Sequence, residues 1–323
     1  MIKNILITGG AGYIGSHTCK KLFQAGYNPI VYDNLSTGHK EFVKWGDLIV
    51  GDLHDTEKLT NILKNYSPEA VIHFAASAYI GESVQDPFKY YRNNIGGTLS
   101  LIEAMINAST NFLVFSSTCA TYGFPQKQLI DELTPQHPIN PYGRSKFMIE
   151  QILQDISVKN QINYIALRYF NAAGADRDTE VGEWHNPETH LIPLAIKSSE
   201  DGSKLKVFGT DFPTKDGTAI RDYIHVEDLA DGHIAALEYL LSGGVSEAIN
   251  LGTGIGYSVL EIIESLHKIN VNVEFVKSDR RPGDPAILVA ETSKAVRLLK
   301  WHPKHTNIMN ILSSAVAWHK SHR

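Results

Sequence analysis

The stretch "NILITGGAGYIGSHTCKKLFQAGY", residues 4–27, decides the fold. "NILIT" is a short apolar run of the kind a buried parallel strand needs. Glycines follow at Gly9, Gly10, Gly12 and Gly15, and from Ser16 the apolar spacing becomes helical, closing at Gly26. Gly10 to Gly15 fit G-x-G-x-x-G in the strand–turn–helix setting that gives this motif meaning. Small residues let the backbone approach a pyrophosphate. Free N–H groups at the helix start bind its charge.

Working outward, "NPIVYDN" is a second strand ending at Asp33, about 20 residues after the turn. A carboxylate there accepts from a ribose 2′-hydroxyl and repels a 2′-phosphate, which favours NAD over NADP. "DLIVGDL" is a third strand ending at Asp52-Leu53, and "EAVIHFAAS" a fourth ending in Ala75 and Ala76, small enough for a cofactor to lie close. Alternating strands and helices predict an α/β domain built on a doubly wound parallel sheet of the Rossmann type. "STNFLVFSSTCATYG" is a further buried strand that ends in the hydroxyls of Ser116, Ser117 and Thr118.

Asn140-Pro141 opens a helix carrying Tyr142 and Lys146, four apart and so on one face. A free tyrosine titrates near 10 and is a poor base at neutral pH. A neighbouring ammonium and the positive charge of a nicotinamide ring are expected to favour the phenolate. With a hydroxyl alongside, this set can take an alcohol proton while a hydride leaves the same carbon.

Composition sets outer bounds. The 323 residues carry a net charge of −5 with signs interspersed, so no basic stripe for nucleic acid is present. No apolar stretch reaches the roughly 20 residues of a membrane helix, and the start lacks the pattern of a secretory leader. Two cysteines, Cys19 and Cys119, read as reduced thiols in the cytoplasm rather than a disulfide framework. No metal-ligand spacing stands out, and no metal is expected.

Together, "TGGAGYIGSHT", "YDNLSTG", "GDL", "HFAA…GESV", "YYRNNIGGT", "SSTCATYG", "PYGRSK", "LRYFNAAGA", "DGTAIRDYIHVEDLADGH", "NLGTG" and "RRPGDPA" resemble the extended short-chain dehydrogenase/reductase family, nearest its UDP-sugar 4-epimerases. The likeness runs from residue 8 to about 286. It implies interconversion of UDP-glucose and UDP-galactose, with UDP-xylose and UDP-arabinose as further candidates, through a 4-keto sugar. It implies Thr118, Tyr142 and Lys146 as the catalytic trio. NAD contacts would come from Gly9, Gly12, Tyr13, Ile14, Gly15, Asp33, Asn34, Leu35, Ser36, Thr37, Gly38, Asp52, Leu53, Phe74, Ala75, Ala76, Asn93 and Phe170, besides the trio. The UDP-sugar would meet Thr118, Tyr142, Asn171, His190, Leu191, Lys206, Val207, Phe208, Arg221, Arg281, Asp284 and Leu288. Two arginines suit a diphosphate, because guanidinium is permanently charged and binds bidentately.

Three positions depart from the family's pattern: Ala78 replaces a lysine, His190 an asparagine, and Leu288 stands where sugar size is screened. They leave the preferred sugar open. The expected division is a cofactor domain over 1–170, with a segment near 218–245 returning to it, and a smaller α/β substrate domain over 171–323. Helices near 86–107 and 142–159 have apolar faces suited to a homodimer. A nucleotide-sugar 4,6-dehydratase would show Asp-Glu after the hydroxyl, whereas Cys119-Ala120 follows Thr118. A decarboxylase needs a C6 carboxylate site that is not recognisable. A non-catalytic NAD sensor would be expected to lack Tyr142 or Lys146.

Overall fold

The computed structural model describes residues 2–159, 161–281 and 283–322. β1 (Asn4–Thr8), α1 (Tyr13–Gln24), β2 (Asn28–Asp33), β3 (Asp47–Val50), α2 (Thr56–Tyr66) and β4 (Ala70–His73) form the first half-fold. Helices α3 (Ile80–Gln85) and α4 (Pro87–Tyr90) lead through a π-helical stretch, Tyr91–Gly96, into α5 (Gly97–Ala108). β5 (Phe112–Ser116), α6 (Pro141–Ser157) and β6 (Asn163–Tyr169) follow. The rest comprises β7 (Asn171–Ala173), α7 (Leu191–Asp201), β8 (Leu205–Phe208), β9 (Ile220–His225), α8 (Val226–Leu241), β10 (Glu247–Leu251) and β11 (Gly256–Ser258). Last come α9 (Val259–Lys268), β12 (Phe275–Ser278), β13 (Ile287–Leu288), α10 (Ser293–Leu299) and α11 (Ile308–Ser321).

The principal sheet is parallel throughout, in the order β10-β6-β5-β4-β1-β2-β3. Strand succession reverses between β1 and β4, which opens a ligand crevice at their carboxyl ends. The pleat sends alternate residues to opposite faces. Ile5 and Ile7 pack with Leu22, Leu229 and Leu237 on the α1/α8 face. Leu6 packs with Leu59, Leu101, Met105 and Leu153 on the other. Burial on both faces explains why the strands read as continuous apolar runs.

β7, β11 and β13 all flank β9 in a small second sheet, and β8 pairs with β12. Helices α7, α9 and α11 close a separate core over these strands. The segment 218–245 is divided: β9 lies in the small sheet, while α8 packs on α1 beneath the large one. The return also extends further than 245, because β10 pairs with β6 and α10 covers it.

Candidate active site

The glycine turn fits a dinucleotide cradle. Gly9 has φ +75°, and a Cβ there would lie 2.5 Å from the Ala75 amide nitrogen. A Cβ on Gly15 would lie 2.2 Å from the Gly9 carbonyl oxygen. Gly12 precedes α1 with no side chain capping its first turn, so the N–H groups of Tyr13, Ile14 and Gly15 lack intrahelical acceptors. They face outward from a helix start, where an anion is favoured.

At the end of β2 the Asp33 carboxylate accepts from Ala11 N at 3.0 Å and Leu35 N at 2.8 Å. Those bonds lower its pKa, but burial outweighs them and the net shift is upward. Lone pairs on both oxygens remain for a ribose diol. Gly38 lies against this carboxylate, a Cβ there being 3.1 Å from Oδ1. Ser36 N donates to Asn34 Oδ1 at 3.0 Å, and Ser36 and Thr37 are exposed on the rim. Asn34 Nδ2 donates to Asp52 at 2.9 Å, tying the second and third strand ends together. Leu53 packs under Gly97.

Phe74, Ala75 and Ala76 line the end of β4, with the amides of Phe74 and Ala75 both donating to Thr8 O. Asn93 sits in the π-helical stretch and donates to Ser77 Oγ at 3.2 Å. Such bulges commonly re-aim side chains at functional sites. Ala78, the first departure, is exposed on the same loop.

Asn140 caps α6 by accepting from Gly143 N at 2.8 Å, and Pro141 occupies the first turn. Tyr142 and Lys146 are then both buried, one turn apart. Thr118 Oγ1 accepts from Ala120 N at 3.1 Å and lies beside the Tyr142 phenol. Lys146 Nζ donates to the Ser116 carbonyl at 2.8 Å and lies 4.8 Å from the centre of the Phe115 ring. Burial pulls its pKa from 10.5 to about 7, with the Glu150 carboxylate one turn on opposing that shift.

The expected lowering of the tyrosine pKa draws on the nicotinamide charge as well as the ammonium, and the protein without NAD shows the opposite direction. Burial pushes the Tyr142 phenol well above its ordinary value, the neighbouring Tyr169 adds to this, and the Thr118 hydrogen bond only partly offsets it. Desolvation of a phenolate is the dominant cause in the protein without NAD.

Across the crevice, Arg221 Nη2 is ion-paired with Asp284 Oδ1, and Arg221 Nη1 donates to Ile220 O at 2.7 Å. Arg281 lies over the Phe208 ring at 4.0 Å and feels both Asp284 and Arg221. Two guanidiniums around one carboxylate leave a net positive charge for a diphosphate. Val207 is buried in the core under α7 and α9, whereas Lys206 on the other face of β8 is exposed. Asn171, Leu191 and His190 line one cleft with Tyr223. Leu288 is buried against Cys119, which follows Thr118 in the chain, Phe170, which precedes Asn171, and Tyr122.

Sequence reasoning missed the group beneath the trio. Glu150 accepts from Ser117 Oγ and from Arg168, whose Nη2 lies 2.6 Å away, and Gln136 and Tyr122 complete a buried network. The available signal was spacing: Tyr142, Lys146 and Glu150 are successive i+4 positions on one face. Asp222 was also missed. Fully buried, it accepts from the amides of Thr253, Gly254 and Ala290 and so holds the strand bearing Leu288 against β9. No local pattern marks it.

A model of the NAD dependent epimerase/dehydratase family matches residues 5–252. The UDP-glucose 4-epimerase of Rhizobium meliloti (strain 1021) is 51% identical over 320 residues, covering 98% of this chain and 97% of that one. Among solved structures, the UDP-glucose 4-epimerase from Brucella ovis in complex with NAD is 50% identical, with a TM-score of 0.95 and 98% of each chain covered. The UDP-glucose 4-epimerase from Stenotrophomonas maltophila, with bound NAD and formylated UDP-arabinopyranose, is 36% identical with a TM-score of 0.96, covering 99% of this chain and 98% of that one.

Proposed function

This chain belongs to the NAD dependent epimerase/dehydratase family, and from that membership we propose that it interconverts UDP-glucose and UDP-galactose as an NAD-dependent 4-epimerase. The observation that supports the reading is the buried Thr118–Tyr142–Lys146 set, in a chain that also carries the glycine cradle and the Arg221/Arg281 pair. NAD, when bound, supplies the acceptor of a hydride from C4 and its later donor. Tyr142 takes the proton of the 4-hydroxyl, and Thr118 holds that oxygen by a hydrogen bond. Lys146, pinned to the Ser116 carbonyl one helical turn from the phenol, favours the phenolate when it carries its proton. The 4-keto sugar turns over while Arg221 and Arg281 retain the UDP moiety. Tyr142 then returns the proton to the alcohol of opposite configuration.

The same pocket is proposed to take UDP-xylose and UDP-arabinose, which lack the C6 group and so need no added room. The exposed apolar side chains of Val84 and Phe88 on α3 and α4, with Leu99 on α5 and Met148 on α6, support a homodimer joined through these helices. No helix among the described residues is long and apolar enough to cross a membrane. With both cysteines unpaired and buried, the cytoplasm is the proposed compartment.

The test is incubation with UDP-glucose and no added cofactor, resolving C4 epimers by chromatography. Appearance of UDP-galactose with no NADH released supports the reading. Stoichiometric NADH with a keto or acid product overturns it. Light scattering of wild type and Phe88→Glu tests the dimer, which predicts a halved mass in the variant.

A further inference from the structure

The loop between β7 and α7 carries "GEWHNPETHLIP", residues 182–193. In sequence it shows no familiar metal spacing. Folded, it brings Glu183, His185, Glu188 and His190 together, with one donor atom from each inside a span of 4.8 Å. We propose that these four side chains form a zinc site that staples this loop beside the sugar-nucleotide cleft.

Three observations carry the proposal. The first is donor spacing. His190 Nδ1 lies 2.9 Å from Glu183 Oε1 and 3.0 Å from Glu188 Oε1. His185 Nδ1 lies 3.3 Å from Glu183 Oε1 and 3.4 Å from Glu188 Oε2. Tetrahedral zinc with bonds near 2.0–2.1 Å has neighbouring donors about 3.3–3.4 Å apart. The two His185 separations match that edge, whereas the two at His190 are of hydrogen-bond length and would widen by a few tenths of an ångström around an ion.

The second is His185 itself. Its Nδ1 is buried, yet it makes no aligned hydrogen bond, because neither nearby oxygen lies along the ring's N–H direction. A buried ring nitrogen with two carboxylates beside it and no bond to either is a ligand position more than an ion-pair partner. The third is chemistry. Two imidazoles and two carboxylates form a borderline N/O donor set that suits zinc, and two carboxylates neutralise its charge. The Glu183 and Glu188 side chains are only 7% and 14% exposed, while His190, at 47%, leaves the site open to solvent on one side.

Four protein ligands leave no open position, so the ion would be structural rather than catalytic. Its mechanical effect follows from the neighbours. His190 immediately precedes α7, and both it and Glu183 line the cleft with Asn171. His185 also packs edge-on against Tyr13 and Tyr79 of the cofactor domain, at 6.2 and 5.8 Å between ring centres. One ion would thus join the substrate segment to the helix that starts the cofactor cradle. The inference rests on the four donors and not on the proposed activity, although His190 is also among the residues expected to meet the UDP-sugar.

The test is metal analysis of tag-free protein purified without chelator, followed by removal with dipicolinate and calorimetric titration with zinc. The expected result is one zinc per chain, or one saturable site after stripping, with a higher melting temperature when it is filled. His185→Gln and Glu188→Gln should each weaken binding by more than about 100-fold, since even outer-shell changes cost 10–100-fold. Zinc-free protein with no saturable site overturns the proposal, as does unchanged affinity in both variants. If the variants fail to fold, zinc-edge absorption on the wild type decides. A shell of two imidazoles and two carboxylates supports the assignment, and any other shell refutes it.

Discussion

Replacing Lys146 with methionine should stabilise the protein while abolishing turnover. The side chain is 3% exposed, and burial has carried its pKa from 10.5 to about 7. That depression is a folding penalty, worth 1.36 kcal/mol per pKa unit and so at most about 5 kcal/mol. Methionine keeps the volume and removes the charge. Against this, the Ser116 carbonyl loses its donor, at about 1–3 kcal/mol, together with the contact to the Phe115 ring. The net gain expected at pH 6 is about 1–3 kcal/mol, within what removal of buried charges has yielded elsewhere. For 323 residues that is roughly 2–5 °C in melting temperature.

The sign with pH is specific. Below pH 7 the ammonium is present in both states and the wild type carries the whole penalty. Between about pH 7 and 10.5 the unfolded chain holds a proton that the folded one has lost, so wild-type stability rises with pH. The advantage of Lys146→Met should therefore shrink steadily across that window. Calorimetry at pH 6, 8 and 9.5 reads it, and epimerase assay should show kcat down by about 100-fold or more. A melting temperature below wild type at pH 6, or an advantage independent of pH, would refute the electrostatic account. Retained turnover would remove Lys146 from the chemistry.

Tyr142→Phe deletes one hydroxyl and little packing, so turnover should fall by about 100-fold or more while UDP and NAD binding, measured by calorimetry, stay close to wild type. Glu150→Leu strands the buried Arg168 guanidinium, a loss of about 3–5 kcal/mol that should lower the melting temperature by roughly 4–8 °C. Adding Arg168→Met should recover most of it, and no recovery would mean that the network matters through shape alone. Leu288→Ser should raise kcat/KM for UDP-N-acetylgalactosamine relative to UDP-galactose by roughly 5- to 150-fold, the equivalent of 1–3 kcal/mol of relieved overpacking. An unchanged ratio would place the size limit elsewhere.

Much of this protein is written in short-range pattern. The glycine turn, the aspartate at the end of β2 and the parallel sheet were legible because each depends on residues within one strand–turn–helix unit. Tyr142 and Lys146 were legible because helical geometry alone puts i and i+4 on one face. The UDP-side arginines emerged only from the combined resemblance, since Arg221 and Arg281 lie on separate strands and loops of the small domain. What the tertiary structure decided depends on contacts distant in sequence. Burial raises the Tyr142 pKa in the protein without NAD, and burial is a property of everything packed around α6. Asp222 is a lone acid in sequence and a clamp only once residues 253, 254 and 290 fold against it. The seventh strand, β10, joins the large sheet by pairing with β6, a partner some 80 residues earlier, and no local period can announce such a pairing. The four donors of the 183–190 loop share that character: their spacing along the chain is unremarkable, and the turn of the loop makes them neighbours.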